Sequence, residues 1–162
     1  MRWPVRGRAH ERRVTEIGFY HLTRSTPEQA LPALLGRTLD TGARAVVRCA
    51  SAEQVRALDA ALWRSTDPVW LPHGASGGPS PGRQPIWLTA GDDVPNGATF
   101  AFLLSGVGEV AALDGFARVF DLFDGGEEAQ VAAARTRWTA AKAAGFTLAY
   151  WQQQQRGWKR AR

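Results

Sequence analysis

The stretch EIGFYHLTRSTPEQALPALLGRTLDTGARAVVRC, residues 16–49, contains the pattern that best indicates the fold. Its first seven residues form a short apolar run with neighbouring aromatic residues, a composition that favours a buried strand. Thr26 and Pro27 then supply the cap and the first residue of a predicted helix, and ARAVVRC at residues 43–49 predicts a second strand. Since a helix separates the two strands, we expect a crossover connection and therefore parallel strands.

The rest of the chain extends this alternation. Ser51 predicts the start of a second helix. Later apolar runs predict further strands at residues 86–90, 99–105 and 116–123. A short helix through residues 111–119 is the alternative to the last strand, and a closing helix is predicted over residues 127–144. The pattern indicates an α/β fold with a mostly parallel sheet and helices on its faces.

The closing helix carries an unusual combination of side chains. Arg135, Trp138 and Lys142 are three and four residues apart, so they lie along one stripe, and Val131 extends that stripe by a turn. An aromatic ring flanked by cations suits an acidic, aromatic peptide. The alternative is that Trp138 faces the core while the two cations are solvated.

Size and charge limit what the protein can be. The 162 residues, 44% of them hydrophobic, suffice for one domain. Residues 1–14 carry five Arg and one Glu, and residues 150–162 carry three Arg and one Lys, so each segment has a net charge of +4. Since the whole chain has a net charge of +5, residues 15–149 have a net charge of −3. We expect a flexible basic extension at 1–14, a domain at 15–149 and a basic C-terminal tail at 150–162. The two tails predict at most weak binding to nucleic acid.

Targeting segments and disulfides are not expected. No apolar run approaches the roughly 20 residues of a membrane span, and the Arg-rich start lacks the apolar centre of a secretory signal. The lone Cys49 has no cysteine with which to pair. These features predict a cytoplasmic protein without membrane contact.

Catalytic and metal sites are also not expected. His10, His21 and His73 are scattered without metal-ligand spacing, and His21 is expected to hydrogen-bond at a strand end. Asp121 and Asp124 resemble ordinary solvated residues rather than paired catalytic carboxylates. We therefore predict no metal, no cofactor and no catalytic residue.

A glycine-rich loop at residues 74–83 is the basis of an alternative function. Clustered glycines let backbone N–H groups approach a phosphate. This loop lacks the GxxxxGK[ST] pattern of a P-loop, and no dinucleotide fingerprint follows the first strand. A small nucleotide-binding α/β enzyme that uses the loop is the alternative, and a flexible linker is the simpler interpretation.

Several of these elements together resemble the chi subunit of bacterial DNA polymerase III. The resemblance runs through most of residues 16–146. It is carried by IGFYHL, by ALDAALWRSTDPVWLPHG at 57–74, by QPIWLTA, by FDLFD and by ARTRWTAAKAAGF. Membership of that family implies a single Rossmann-like domain without polymerase chemistry of its own, acting as an accessory subunit of a DNA-directed DNA polymerase, a nucleotidyltransferase complex.

The resemblance also implies a binding site for the acidic, phenylalanine-terminated tail of single-stranded DNA-binding protein. Phe123 and Val131 would be apolar contacts, Arg135 the main cation and Trp138 the aromatic wall. Lys142 would lie one turn further along. Thr139 stands where relatives can carry another basic residue, a departure that predicts a weaker electrostatic contribution.

A second surface is implied by four neighbouring residues, Trp63, Trp70, Pro72 and His73. Partly exposed tryptophans are common interface anchors, although a core position for each is the alternative. In the chi family this surface binds the psi subunit of the clamp loader, and in some relatives a helicase. The implied function is a non-catalytic link between the clamp loader and single-stranded DNA-binding protein during DNA replication.

Overall fold

The computed structural model describes residues 15–68, 70–104 and 110–162. The predicted extension at residues 1–14 lies outside these ranges. The strands described are β1 Glu16–Leu22, β2 Ala45–Arg48, β3 Gly74–Ala75, β4 Ile86–Thr89, β5 Phe100–Leu104, β6 Arg118–Asp124, β7 Thr147–Gln153 and β8 Trp158–Arg160. The α-helices described are α1 Pro27–Asp40, α2 Ala52–Trp63 and α3 Glu128–Ala143. The predicted α/β fold is confirmed.

All the described strands belong to one sheet in the order β3-β4-β2-β5-β6-β1-β7-β8. Among them β7 and β8 pair antiparallel, and every other neighbouring pair is parallel. His21 of β1 lies beside Phe123 of β6 and Gln152 of β7. The carboxyl ends of these three parallel strands therefore lie side by side. In the described part of the chain, no helix is long and apolar enough to cross a membrane.

Local chemistry sets the ends of the helices. Thr26 accepts a hydrogen bond from the Gln29 backbone N–H, and the Gln29 side chain accepts one from the Thr26 N–H, which forms a capping box. Ser51 caps α2 by accepting from the Gln54 N–H at 3.1 Å. Gly145, with φ at +87°, follows the end of α3 in the left-handed conformation that favours glycine. The predicted helix boundaries follow from these caps.

The alternation of side chains along each strand separates two cores. Tyr20 and Leu22 of β1 pack in one apolar cluster with residues of α1 and α2. Ile17 and Phe19 of the same strand pack in the other cluster, with Ala134 and Ala141 of α3. Because successive strand residues point to opposite faces, α1 and α2 cover one face and α3 covers the other. The prediction of helices on both faces is confirmed.

The C-terminal segment differs from the prediction of a basic tail at residues 150–162. Strand β7 joins the sheet beside β1, and β8 folds back along β7. Trp158 packs edge-on against Tyr20, with 5.1 Å between ring centroids. The apolar surface of Trp158 thus anchors the segment, while its cations stay exposed on an edge strand, where charge opposes aggregation.

Asp121 is a further correction, because it is not a solvated residue. It lies in the middle of β6 and is only 2% exposed. Arg137 of α3 donates two hydrogen bonds to its carboxylate, from Nε at 2.7 Å and from Nη2 at 2.9 Å. Burial raises the pKa of the Asp121 carboxyl, and Arg137 acts in the opposite direction. This forked ion pair fixes α3 to the sheet.

We expect Arg137→Ala to lower the free energy of unfolding by about 3–5 kcal/mol, because it leaves the Asp121 carboxylate buried and unpaired. Urea denaturation of the full chain measures the change. Arg135→Ala removes an exposed cation from the same helix, so it should change the free energy of unfolding by no more than about 0.5 kcal/mol. Equal losses in the two variants would contradict the structural role of the pair.

Candidate functional site

An open groove of about 460 Å³ lies on the α3 face of the sheet. It runs between α3, the carboxyl halves of β1 and β6, and the hairpin of β7 and β8. The groove is lined by Phe19, His21, Phe123, Val131, Ala134, Arg135, Trp138, Thr139, Tyr150, Ala161 and Arg162. It is mainly apolar and aromatic, with two guanidinium groups, a composition that suits a chemically mixed ligand such as a short peptide.

The α3 wall of the groove is amphipathic. Trp138 is half-buried, because its indole packs edge-on against Phe19 at 5.2 Å and lies 6.1 Å from Tyr150 between ring centroids. Arg135 is exposed one turn earlier, and Val131 is half-buried a further turn back. An apolar surface and a cation therefore face the same space.

The floor of the groove is formed by aromatic side chains from the sheet. Phe123 is 1% exposed and lies 5.2 Å from the His21 ring between centroids, so it supports the floor from below. The hydrogen bond predicted for His21 is present, between its Nδ1 and the Tyr150 hydroxyl. Gly125 packs so closely on His21 that a Cβ there would overlap the ring. This packing holds the His21 side chain in place.

Electrostatics keep the His21 ring neutral near pH 7. Burial and, to a smaller extent, the neighbouring Arg135 lower the pKa of the imidazole below its ordinary value. The positive charge of the groove thus comes from arginine side chains, and the imidazole contributes a polar but uncharged surface.

The structure brings together five of the six residues predicted for the tail-binding site. Phe123, Val131, Arg135, Trp138 and Thr139 all line the groove. Lys142 is exposed and lies outside the groove lining. Thr139 directs its hydroxyl to the Arg135 carbonyl at 3.1 Å. The site therefore follows the stripe at 131, 135 and 138, and the extension of that stripe to residue 142 leaves the groove.

Sequence reasoning missed the far wall of the groove. Tyr150, Ala161 and Arg162 belong to the segment predicted as a basic tail. The signal was the run TLAYWQQ at residues 147–153, whose β-favouring residues are typical of a strand that follows a helix. Reading that run as a strand would have placed Tyr150 beside β1.

Trp63 and Trp70 are both exposed near β3, at the edge of the sheet far from the groove, and the region that contains them is called the tryptophan surface. Their exposed fractions are 59% and 72%, which are large for tryptophan. Trp63 is the last residue of α2, and Trp70 lies in the segment that leads to the edge strand β3, which begins directly after His73. The two indoles are thus available to a partner and do not fill the core.

His73 differs from the two tryptophans, because it is buried. Its Nδ1 lies 2.7 Å from the Leu71 carbonyl oxygen, and its Nε2 lies 2.9 Å from Asp59 Oδ1. The ring also packs under Trp63 at 4.4 Å between centroids. His73 therefore supports the exposed indole from below, while Pro72 beside it is partly exposed.

Several backbone donors of the glycine-rich loop are already engaged within the protein. The backbone N–H groups of Ser76, Gly78 and Arg83 donate to carbonyls within the protein, at 2.8, 2.8 and 3.0 Å. Two of its residues, Gly74 and Ala75, form the edge strand β3. Across residues 15–68, 70–104 and 110–162, no three His, Cys, Asp or Glu side chains cluster closely enough to hold a metal ion.

Comparison with known proteins agrees with the resemblance in the sequence. A search of curated proteins gives no match. The family model described as DNA polymerase III chi subunit, HolC, matches residues 14–149, which is most of the chain. The groove-lining residues of β1, β6 and α3 all lie within the matched range, as do Trp63 and Trp70. The chain belongs to the chi subunit family, the accessory subunits of DNA polymerase III.

Proposed function

We propose that the protein is a non-catalytic link in the cytoplasmic replication machinery. Its groove beside α3 binds the acidic, phenylalanine-terminated tail of single-stranded DNA-binding protein, and its tryptophan surface binds the clamp loader. Membership of the chi subunit family supports a role in DNA replication. The observation that carries the proposal is the open groove in which Arg135 and Trp138 face the same space.

The two ends of such a tail require different chemistry. The terminal carboxylate accepts a forked pair of hydrogen bonds from the Arg135 guanidinium, which is exposed and free to reorient. The phenyl ring packs against the half-buried Trp138 indole, above the floor that His21 and Phe123 form. Capture of a chain end needs no bond making, so the groove requires no catalytic group.

Burial of the phenyl ring supplies most of the binding energy. An exposed ion pair contributes about 1 kcal/mol or less. Burying a phenylalanine side chain contributes about 1.5–3 kcal/mol. The charges of the groove therefore act mainly on specificity and on the rate of association. Both decrease as ionic strength rises, because salt screens the charges.

The tryptophan surface is proposed to bind the psi subunit or another clamp-loader component, with a helicase as a further partner. Six strand spacings separate β3, beside this surface, from β7, beside the groove. At about 4.8 Å for each spacing the separation is roughly 29 Å. Two partners can then bind at the same time without competing for space, as a link requires.

We expect the full chain to bind a fluorescent peptide ending in Asp-Ile-Pro-Phe at low salt. Trp138→Ala should weaken binding by about tenfold or more, because it removes the apolar wall. Arg135→Ala should weaken it by about two- to fivefold, because it removes the carboxylate partner. Fluorescence anisotropy measures the dissociation constants, and circular dichroism verifies that each variant is folded.

Two variants outside the groove are controls for the peptide measurement. Lys142→Ala, on the same helix, should have a smaller effect than Arg135→Ala. Arg56→Ala, on the exposed side of α2, should have none. Absence of binding by the wild-type chain, or undiminished binding by the Arg135 and Trp138 variants, overturns the assignment of the groove.

The tryptophan surface gives a separate expectation. The double variant Trp63→Ser and Trp70→Ser should lose co-purification with clamp-loader proteins, because large exposed aromatics dominate interface energies. The same variant should bind the peptide as the wild type does, and Arg56→Ala on α2 should keep both activities. Retention of clamp-loader proteins by the double variant, measured by pull-down and immunoblot, would exclude this surface.

A further inference from the structure

The hairpin of β7 and β8 forms the wall of the groove opposite α3. Its backbone ladder continues past β8, since the Ala161 N–H donates to the Tyr150 carbonyl at 2.8 Å and the Tyr150 N–H donates to the Arg162 carbonyl at 3.1 Å. Trp158 anchors the returning strand against Tyr20 on the other face of the sheet. These contacts hold Ala161 and Arg162 beside the groove.

Arg162 and Arg135 act on the same part of the groove from opposite walls. Both guanidinium groups lower the pKa of the Tyr150 hydroxyl, although burial outweighs them and raises it overall. Tyr150 itself lines the groove and contacts His21. Two cations from separate elements are thus within electrostatic range of one phenol that lines the groove.

We propose that Arg162 is the second cation of the peptide groove and contacts an acidic residue that precedes the terminal phenylalanine. The peptide lies between α3 and the hairpin, with its carboxylate on Arg135 and its acidic side chains toward Arg162. This inference rests on the proposed function of the groove. It adds a specificity-determining residue that lies beyond the range matched by the family model, which ends at residue 149.

Arg162 compensates for the weaker electrostatic contribution that was predicted from Thr139. Thr139 is uncharged and cannot attract an acidic tail electrostatically. Its hydroxyl already donates a hydrogen bond to the Arg135 carbonyl oxygen. Arg162 restores a positive charge to the groove from the facing wall. The resulting arrangement brackets the peptide with charge on both sides, so it favours an acidic peptide over a neutral one that ends in phenylalanine.

The test compares Arg162→Ala, Arg162→Glu and Arg162→Lys in the full chain. The control is Arg156→Ala, which removes the same charge from the exposed turn of the same hairpin but lies outside the groove lining. Fluorescence anisotropy measures binding of an acidic peptide ending in Asp-Ile-Pro-Phe and of a peptide with Asn in place of each Asp. Both peptides are titrated at two salt concentrations.

Arg162→Ala should weaken binding of the acidic peptide by about two- to fivefold, with a shallower salt dependence, and should leave the neutral peptide unchanged. Arg162→Glu should weaken it further, and Arg162→Lys and Arg156→Ala should remain close to wild type. If the wild type binds the acidic peptide and Arg162→Ala binds it equally well, this inference fails while the groove assignment survives. If the wild type binds neither peptide, the proposed function itself fails.

Discussion

The buried ion pair between Arg137 and Asp121 fixes the orientation of α3, and the shape of the groove depends on that orientation. It joins the middle of α3 to the middle of β6 by two short hydrogen bonds, and so fixes how α3 is rotated about its axis. With residue 137 turned toward the sheet, Ala134 and Ala141 are buried on the same side. Arg135 and Trp138 then border the groove. An interaction that contacts no ligand therefore decides which helix residues can bind one.

The sheet places the two candidate surfaces at opposite ends. Its central strands are buried on both faces by α1, α2 and α3, so their side chains are committed to the core. The exposed surfaces that remain lie toward the edges, with Trp63 and Trp70 near β3 and the groove near β7 and β8. A rigid parallel sheet between two separate surfaces suits a protein that keeps two partners at a fixed distance.

Local signals predicted more of the structure than non-local ones. The starts of α1 and α2 followed from Thr26 and Ser51, because capping depends on residues within one turn. The strand at residues 158–160 did not follow from its basic composition, because its place depends on contact between Trp158 and the distant Tyr20. Asp121 was misread for the same reason: its partner lies on another element. An acid within the apolar run VFDLF was the available signal for a buried partner.

We propose that the groove between α3 and the β7–β8 hairpin captures an acidic peptide that ends in phenylalanine. Titration of the ¹⁵N-labelled chain with this peptide, followed by heteronuclear NMR, shows where the peptide binds, because each indole N–H gives its own signal. We expect the Trp138 indole signal and the backbone signals of Arg135 and Tyr150 to shift, while those of the exposed Trp63 and Trp70 stay fixed. Shifts confined to Trp63 and Trp70, or none at saturating peptide, would exclude the groove as the binding site.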